Sequence, residues 1–234
     1  MFLSVLVLQL TTTPMTLLST SPCGDLISLA DLRFQCDLLV MRSDGTSFNT
    51  EDCVCPCNNI LSTLFQNVQV TLAVRSISDP SSLYFVRAYL ENLLGYTENA
   101  MLGQLSVEGL YHDSTQVPNV TGAWVAAVAQ IPSHASFQNL DQKYRFDMVK
   151  SGRTLQLSER IHCDLFQQDK PLLPGVSLSL KFVRSRTAVA FTAVAADKLT
   201  RVAIRNPKLF VRKYNPAASY LNSLSKNLLN SPAI

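Results

Sequence analysis

The residues best suited to chemistry stand side by side in "IHCDLF": His162, Cys163 and Asp164. A cysteine nucleophile needs a histidine within hydrogen-bond reach. We expect a strand here, and neighbouring side chains of a strand point to opposite faces. Cys163 then shares a face with Ile161 and Leu165, whereas His162 and Asp164 share the other face. The pattern therefore predicts a hydrogen-bonded His–Asp pair rather than a nucleophilic site.

Three more cysteines crowd into "CVCPC" at Cys53, Cys55 and Cys57. Thiolates bind zinc, but structural zinc sites usually pair cysteines two to four residues apart, twice over. No second pair follows nearby in the sequence, although Cys23 and Cys36 could complete a site in space. We expect small apolar residues at a strand end, in a reducing compartment, rather than a metal site.

Other candidates for chemistry are isolated. His112 and Asp113 form a loop pair without a third ligand, and His134 stands alone. Asn119 opens the glycosylation sequon "NVT", which has little weight without a signal peptide. The chain contains no GxSxG, HExxH, P-loop or GxGxxG motif. The sequence therefore predicts no enzyme, and no catalytic, cofactor-binding or metal-binding residues.

Composition limits the possible partners. Of the 234 residues, 16% are charged and the net charge is +3, against about 25% charged residues in a typical domain. Low charge predicts a surface covered by partner subunits or one large core. The basic residues alternate with apolar ones, so we interpret them as the wet faces of strands rather than a nucleic-acid site. They are Lys181, Arg184, Arg186, Arg201, Arg205, Lys208, Arg212 and Lys213.

The N-terminal run "MFLSVLVLQL" is apolar but no basic residue precedes it. A secretory signal normally has a positive n-region, and a membrane span needs about 20 residues. We therefore expect a buried or partner-covered strand here, with no membrane segment.

Period-two alternation dominates the elements that must position these residues. It follows Asp31 through Leu32, Phe34, Cys36, Leu38 and Val40, and a turn is expected at "SDG". Similar stretches are "VQVTLAV", "RTLQLSERIHCDLF", "VSLSLKFV", "AVAFTAVAA" and "RVAIRNPKLFVRKY". Closely spaced strands with Gly/Pro turns predict an antiparallel sandwich or barrel. A short helix capped by Asn58 or Asn59 is expected before Phe65.

One stretch, "YFVRAYLENLLGY", has helical spacing. We expect a helix from Tyr84 to Tyr96, with Ser81 or Ser82 as N-cap and Gly95 as a left-handed stop. Its apolar stripe needs cover from its own sheet or a neighbouring subunit. The expected stripe is Phe85, Ala88, Tyr89, Leu93 and Tyr96. Residues 97–150 are weakly patterned and are expected to be mostly loop, with partner contacts.

The order of several long motifs resembles the capsid proteins of Polinton/Maverick elements and adintoviruses. The motifs are "NNILSTLFQNVQVTL", "YFVRAYLENLLGYTENA", "GLYHD", "RIHCDLFQQDKPLLPGVSLSLKFVRSRTAVAF" and "PKLFVRKY". The resemblance covers roughly Leu26 to Tyr214. The "CVCPC" cysteines are not part of the family pattern, which further argues against a metal site there. The family continues into a second jelly roll, so this chain resembles the first jelly roll only.

The resemblance implies a hexon-type major capsid protein. The expected fold is all-β, an antiparallel jelly-roll sandwich with one or two short helices inserted. Residues 1–25 would be an N-terminal strand or arm, 26–214 the jelly-roll domain, and 215–234 a C-terminal linker or tail. The expected function is self-association into trimers that build an icosahedral shell. The alternatives are a minor, penton-like capsid protein or a domesticated, lectin-like binding sandwich.

The resemblance also implies partners and location. We expect homotrimers and other capsid proteins as partners, with no specific nucleic acid, no membrane and no cofactor. The expected location is the virion, and the reducing interior of the host cell during expression. The packing or interface candidates are Arg87, Tyr89, Leu93, Tyr96, Leu165 and Phe166.

Overall fold

Two four-stranded antiparallel sheets make up most of the structure, which is a computed structural model. It describes residues 2–7, 15–19, 25–48, 54–78, 83–111, 140–193 and 200–230. The first sheet has the order β1-β10-β3-β7 and the second has the order β2-β8-β5-β6; β4 and β9 form a separate pair. The strands are β1 Phe2–Val7, β2 Met15–Ser19, β3 Leu26–Arg42, β4 Val54–Pro56, β5 Phe65–Leu72, β6 Arg75–Ser76, β7 Thr154–Arg160, β8 Leu178–Arg184, β9 Phe191–Ala193 and β10 Thr200–Tyr214.

The chain crosses repeatedly between the two sheets. Of the eight strands in the sandwich, the first, third, sixth and eighth form one sheet, and the second, fourth, fifth and seventh form the other. This is the double Greek-key order of a jelly roll. The predicted fold class, an all-β antiparallel sandwich, is confirmed. β1 and β2, from residues 1–25, pair with β10 and β8.

The core lies between the sheets, as the alternation in β3 predicts. Leu32, Phe34, Cys36, Leu38 and Val40 are all buried. Three aromatic rings join the layers at its centre. Phe34 of the first sheet lies 5.8 Å from Phe65 and 4.9 Å from Phe182 of the second, measured between ring centroids.

Helices and 3-10 turns connect the strands and follow the last of them. They are α1 Ile60–Thr63, α2 Tyr84–Gly95, α3 Glu98–Leu102, α4 Leu140–Val149, α5 Thr187–Ala190 and α6 Ala218–Asn230, with 3-10 turns Gln104–Glu108, Lys150–Gly152 and Asp164–Gln167. No helix in the described part of the chain is both long and apolar enough to cross a membrane.

Several sequence predictions need correction. The strand predicted to run through "IHCDLF" ends at Arg160, and Asp164 begins a 3-10 turn. The strand predicted for "AVAFTAVAA" begins as helix α5 and becomes β9 only at Phe191. Residues 97–150, expected to be mostly loop, contain α3, the turn Gln104–Glu108 and α4 within the described ranges. In each case contacts with distant residues select the structure, and local alternation does not report them.

Candidate functional site

Helix α2 forms as predicted, but it buries a different face. Its buried side chains are Tyr84, Ala88 and Asn92, four residues apart. Tyr89 and Leu93, which the predicted stripe included, are exposed. The helix is apolar on most of its surface, so hydrophobic spacing alone does not select one face.

The ends of α2 also differ from the prediction. Leu83 precedes the helix and makes no side-chain capping bond; the predicted caps Ser81 and Ser82 lie outside the described residues. The helix does end at Gly95, but this glycine is absent from the described positions with left-handed backbone. Tyr96 continues the chain in an extended conformation.

His162 lies beneath α2 and joins this helix to β7. Its backbone N–H donates to the Tyr84 hydroxyl at 3.3 Å, and its Nδ1 lies 2.8 Å from Glu91 Oε2. Its Nε2 lies 3.5 Å from Oε1 of Glu159 in β7. The predicted face shared with Asp164 is wrong, because β7 has ended: His162 is buried, whereas the Asp164 side chain is 86% exposed.

The histidine is surrounded by carboxyl groups, and this decides its charge. Burial opposes the imidazolium form, but the hydrogen bond to Glu91 and the nearby Glu159 and Glu108 outweigh it, so the pKa of His162 is raised. Hydrogen bonding to His162, and then to Arg87, lowers the pKa of Glu91 to about 2 against the opposing effect of burial. Glu91 therefore stays ionised, and its charge favours the imidazolium form of His162.

Glu159 is the most enclosed carboxyl group of the cluster. The hydroxyl of Ser62, from α1, donates a short hydrogen bond to its Oε1. Burial raises the pKa of Glu159 to about 8, although His162 and the Ser62 bond lower it.

Glu108 approaches from the opposite side, at the end of a 3-10 turn. Asn92 Nδ2 donates to Glu108 Oε2 at 3.1 Å, and burial raises the pKa of Glu108. The next residue, Gly109, has φ +81°, and a Cβ atom there would collide with Ile60. Only glycine permits this approach between the turn and α1.

Arg87 extends the cluster to the surface. Its Nε lies 2.7 Å from Glu91 Oε1, and its Nη2 makes a short ion pair with Asp164. Hydrogen bonding to Asp164, and then to Glu91, raises the pKa of Arg87. We define the polar cluster as Glu91, Asn92, Glu108, Glu159 and His162, with Arg87 as its outer member.

The polar cluster borders a pocket of about 380 Å³, whose wall includes Leu32, Tyr96, Glu108, Arg160 and His162. The arrangement can hold protons, fix α2 and present polar groups to a small ligand. Among the described residues, no group of histidine, cysteine or acidic side chains is arranged to bind a metal ion. Burial raises the pKa of the neighbouring Cys163, which opposes thiolate formation.

The predicted interface residues occupy different environments. Arg87 joins the polar cluster, Tyr89 and Leu93 face outward, and Tyr96 is half-buried against the small cluster of Met101, Leu105 and Leu110. Leu165 and Phe166 are buried in the main core. These last two lie on the 3-10 turn rather than on the predicted strand.

The remaining candidates add little chemistry. Cys55 is buried and Cys57 is half-buried. Burial raises the pKa of Cys36 to about 12. Cys23, Cys53, His112, Asp113, Asn119 and His134 lie outside the described residues.

Sequence reasoning missed the partners of His162. Glu91 is 71 residues away in the chain, and its spacing from Arg87 indicates only an ordinary helix-face pair. The only local signal was the three-residue separation between Glu159 and His162, which becomes meaningful only once β7 is known to end between them.

No protein-family model and no curated protein matches the chain. The chain is similar to a solved structure of PBCV-1 VP54, the one fitted into a cryo-EM reconstruction of the virophage Sputnik, with 8% identity and a TM-score of 0.38. The match covers 94% of this chain and 44% of that chain. A likeness of this size carries no argument, so the fold assignment rests on the strand order and core described above.

Proposed function

We propose that this chain is a structural, capsid-type subunit that associates with copies of itself. The observation that carries the self-association is the uncovered outer side of α2. Leu83, Leu90, Leu93 and Leu94 are exposed there, and Val86 and Tyr89 lie between them. Contiguous exposed apolar surface is typical of a protein–protein contact.

The capsid class is supported by the motif resemblance together with the jelly-roll order of the strands. Fold alone does not define function, so the long ordered motifs carry this step. We propose a relationship to the Polinton/Maverick and adintovirus capsid proteins, a trimer as the assembly unit, and a place in an icosahedral shell. Other capsid proteins are the proposed partners, the virion is the proposed location, and no catalysis is involved.

Within this proposal, the exposed Tyr89 and Leu93 are contact residues. Arg87 ties α2 to Asp164 at the surface and Tyr96 anchors its end on the small cluster, whereas Leu165 and Phe166 support it through the core. The proposed domain is 26–214, with 1–25 and 215–234 as terminal segments that contribute to the sheets or to contacts.

Analytical ultracentrifugation of the purified chain over a concentration series tests the self-association. We expect a reversible monomer–trimer equilibrium and three-fold particles by negative-stain electron microscopy. A single monomeric species up to about 100 µM, well above ordinary micromolar affinities, would contradict the proposal.

A second candidate, the lectin-like binding sandwich, is favoured by the pocket beside His162. Asn92, Glu108 and Arg160 offer several hydrogen-bonding groups beside the ring of Tyr96. Polar groups with one aromatic ring suit a small polar ligand such as a sugar. A glycan array tests it: reproducible binding that Asn92→Ala abolishes would support this function, and absence of binding would exclude it for the glycans on the array.

A further inference from the structure

The outer side of α2 presents a shallow, open apolar groove. Leu83, Val86, Leu90 and Leu94 line it at spacings of three and four residues, and Gln167 lies at its edge. The two charged side chains that border this groove are Arg87 and Glu91. Both are already paired, with Asp164 and His162 respectively. The groove therefore offers apolar surface without an uncompensated charge.

A second helix of the chain also lacks cover. Within the described structure, no helix or strand packs along the 13-residue α6. Among the side chains of α6 that the structure describes, only Leu221 and Leu224 are half-buried. These two residues follow the i, i+3 spacing of an apolar stripe.

The polar side of α6 completes its amphipathic character. Its one charged residue is Lys226. At 100° per residue, Lys226 lies on the side opposite the leucine stripe. The helix can therefore bury Leu221 and Leu224 without removing a charge from water.

The two helices match as a groove and its occupant. Grooves of this kind recognise amphipathic helices through anchors at i, i+3 and i+7. α2 has 12 residues and α6 has 13, so both are about 18–20 Å long. We propose that α6 of a second copy of this chain docks in the α2 groove. This inference rests on the proposed self-association and identifies the contact that produces it.

The position of α6 favours the neighbouring copy over its own chain. It starts at Ala218, four residues beyond Tyr214 at the end of β10, so its first residue lies within about 14 Å of that strand. Tyr214 pairs with Leu26, whereas α2 borders the same pocket as Leu32 of β3, which lies about 20 Å further along the strand. In the structure α6 leaves its own α2 uncovered.

Co-expression of two differently tagged chains tests which copy supplies the helix. One chain carries Leu90→p-benzoylphenylalanine and lacks residues 217–234; the other is full length without the probe. Mixed assemblies are isolated through both tags, irradiated and analysed by mass spectrometry. We expect cross-links from position 90 to peptides of α6, which only the neighbour contains. Failure to recover mixed assemblies, or cross-links elsewhere or none at all, would overturn the docking.

Matched variants measure the contribution of the docking. Leu221→Asp with Leu224→Asp places two charges on the stripe. Ser219→Asp with Ser223→Asp places the same two charges on the opposite side, at 100° per residue. We expect the first pair to weaken self-association at least about a hundredfold, with unchanged thermal melting, and the second to change it little.

The outcomes separate this inference from the proposed function. Oligomers that persist unchanged in the leucine variant would overturn the docking but leave self-association intact. A wild-type chain that is always monomeric would overturn both. A full-length chain with the Leu90 probe that cross-links to its own α6 in the monomer fraction would assign the groove to its own helix, and would also overturn the proposal.

Discussion

The aromatic centre of the sandwich and the polar cluster beneath α2 are both buried, but different forces hold them. Phe34, Phe65 and Phe182 pack their rings against each other and make only apolar contacts there. The polar cluster depends on where protons reside, in particular on Glu159 and His162. The sheets and the helix that covers them therefore need not respond to pH in the same way.

The directions of the pKa shifts define that response. The raised pKa of His162 contributes stability below pH 6.5, which is lost as pH rises through the folded-state value. Burial gives Glu159 a pKa of about 8 instead of 4.5. The free energy of unfolding therefore also falls as pH rises across that interval. The lowered pKa of Glu91 acts in the opposite sense, and its contribution is lost as pH falls from 4.5 towards 2. We therefore expect α2 to be held best at mildly acidic pH.

The largest effect is expected from Phe182→Ala, which removes the ring shared by both sheets. It should lower the free energy of unfolding by about 3–5 kcal/mol, equally at pH 5.5 and 7.5, in guanidinium titrations. Val74→Ala, at a side chain that is 97% exposed, is the control and should change stability by less than about 0.5 kcal/mol. A strongly pH-dependent loss of stability in the Phe182 variant would contradict the expectation that the aromatic centre, unlike the polar cluster, is insensitive to pH.

His162→Ala should produce the next largest effect. It leaves Glu91 without its imidazolium partner and should cost about 2 kcal/mol. Hydrogen exchange should show faster exchange of the α2 amides than in the wild type, with β3 and β10 protected as before. Unchanged protection of α2 would mean that the cluster does not hold the helix.

Glu159→Gln should reduce the pH dependence itself. The neutral amide preserves the shape and cannot ionise, so the fall in stability between pH 5 and 8 should become shallower, by at most ~1.4 kcal/mol per pH unit for one group. Denaturant titrations at three pH values measure the slope. The prediction fails if the variant and the wild type have parallel profiles.

The smallest effect is expected for the outer ion pair of Arg87 with Asp164. Its aspartate is 86% exposed, so water and salt weaken the attraction. A double-mutant cycle with Arg87→Ala and Asp164→Ala should give a coupling energy of about 0.5 kcal/mol that shrinks at 1 M salt. A coupling energy above about 2 kcal/mol would contradict this prediction, because the pair would then contribute as much as the buried members of the polar cluster.

Much of the sandwich could be predicted from local pattern. The alternation from Leu32 to Val40 predicts the buried face of β3, and Leu178, Leu180 and Phe182 do the same for β8. The turn at Gly45 and the helix starting at Tyr84 were also predicted correctly. These features depend on residues close together in sequence.

The end of β7 and the helices within 97–150 could not be predicted in this way. His162 leaves the strand to reach Glu91 and Tyr84, and period-two spacing contains no information about that departure. The α4 helix packs on β4 and β7, so its cover comes from residues far away in the chain.

Local pattern was enough to predict most of the strands, the position of α2 and the scarcity of charge. The packing of the layers then selected Tyr84, Ala88 and Asn92 as the buried face of α2, and brought Glu91, Glu108 and Glu159 around His162. The physical reason is that secondary structure follows the periodicity of neighbouring residues. The choice between faces of a helix that is apolar almost all round depends instead on which distant polar groups must be satisfied when the layers meet.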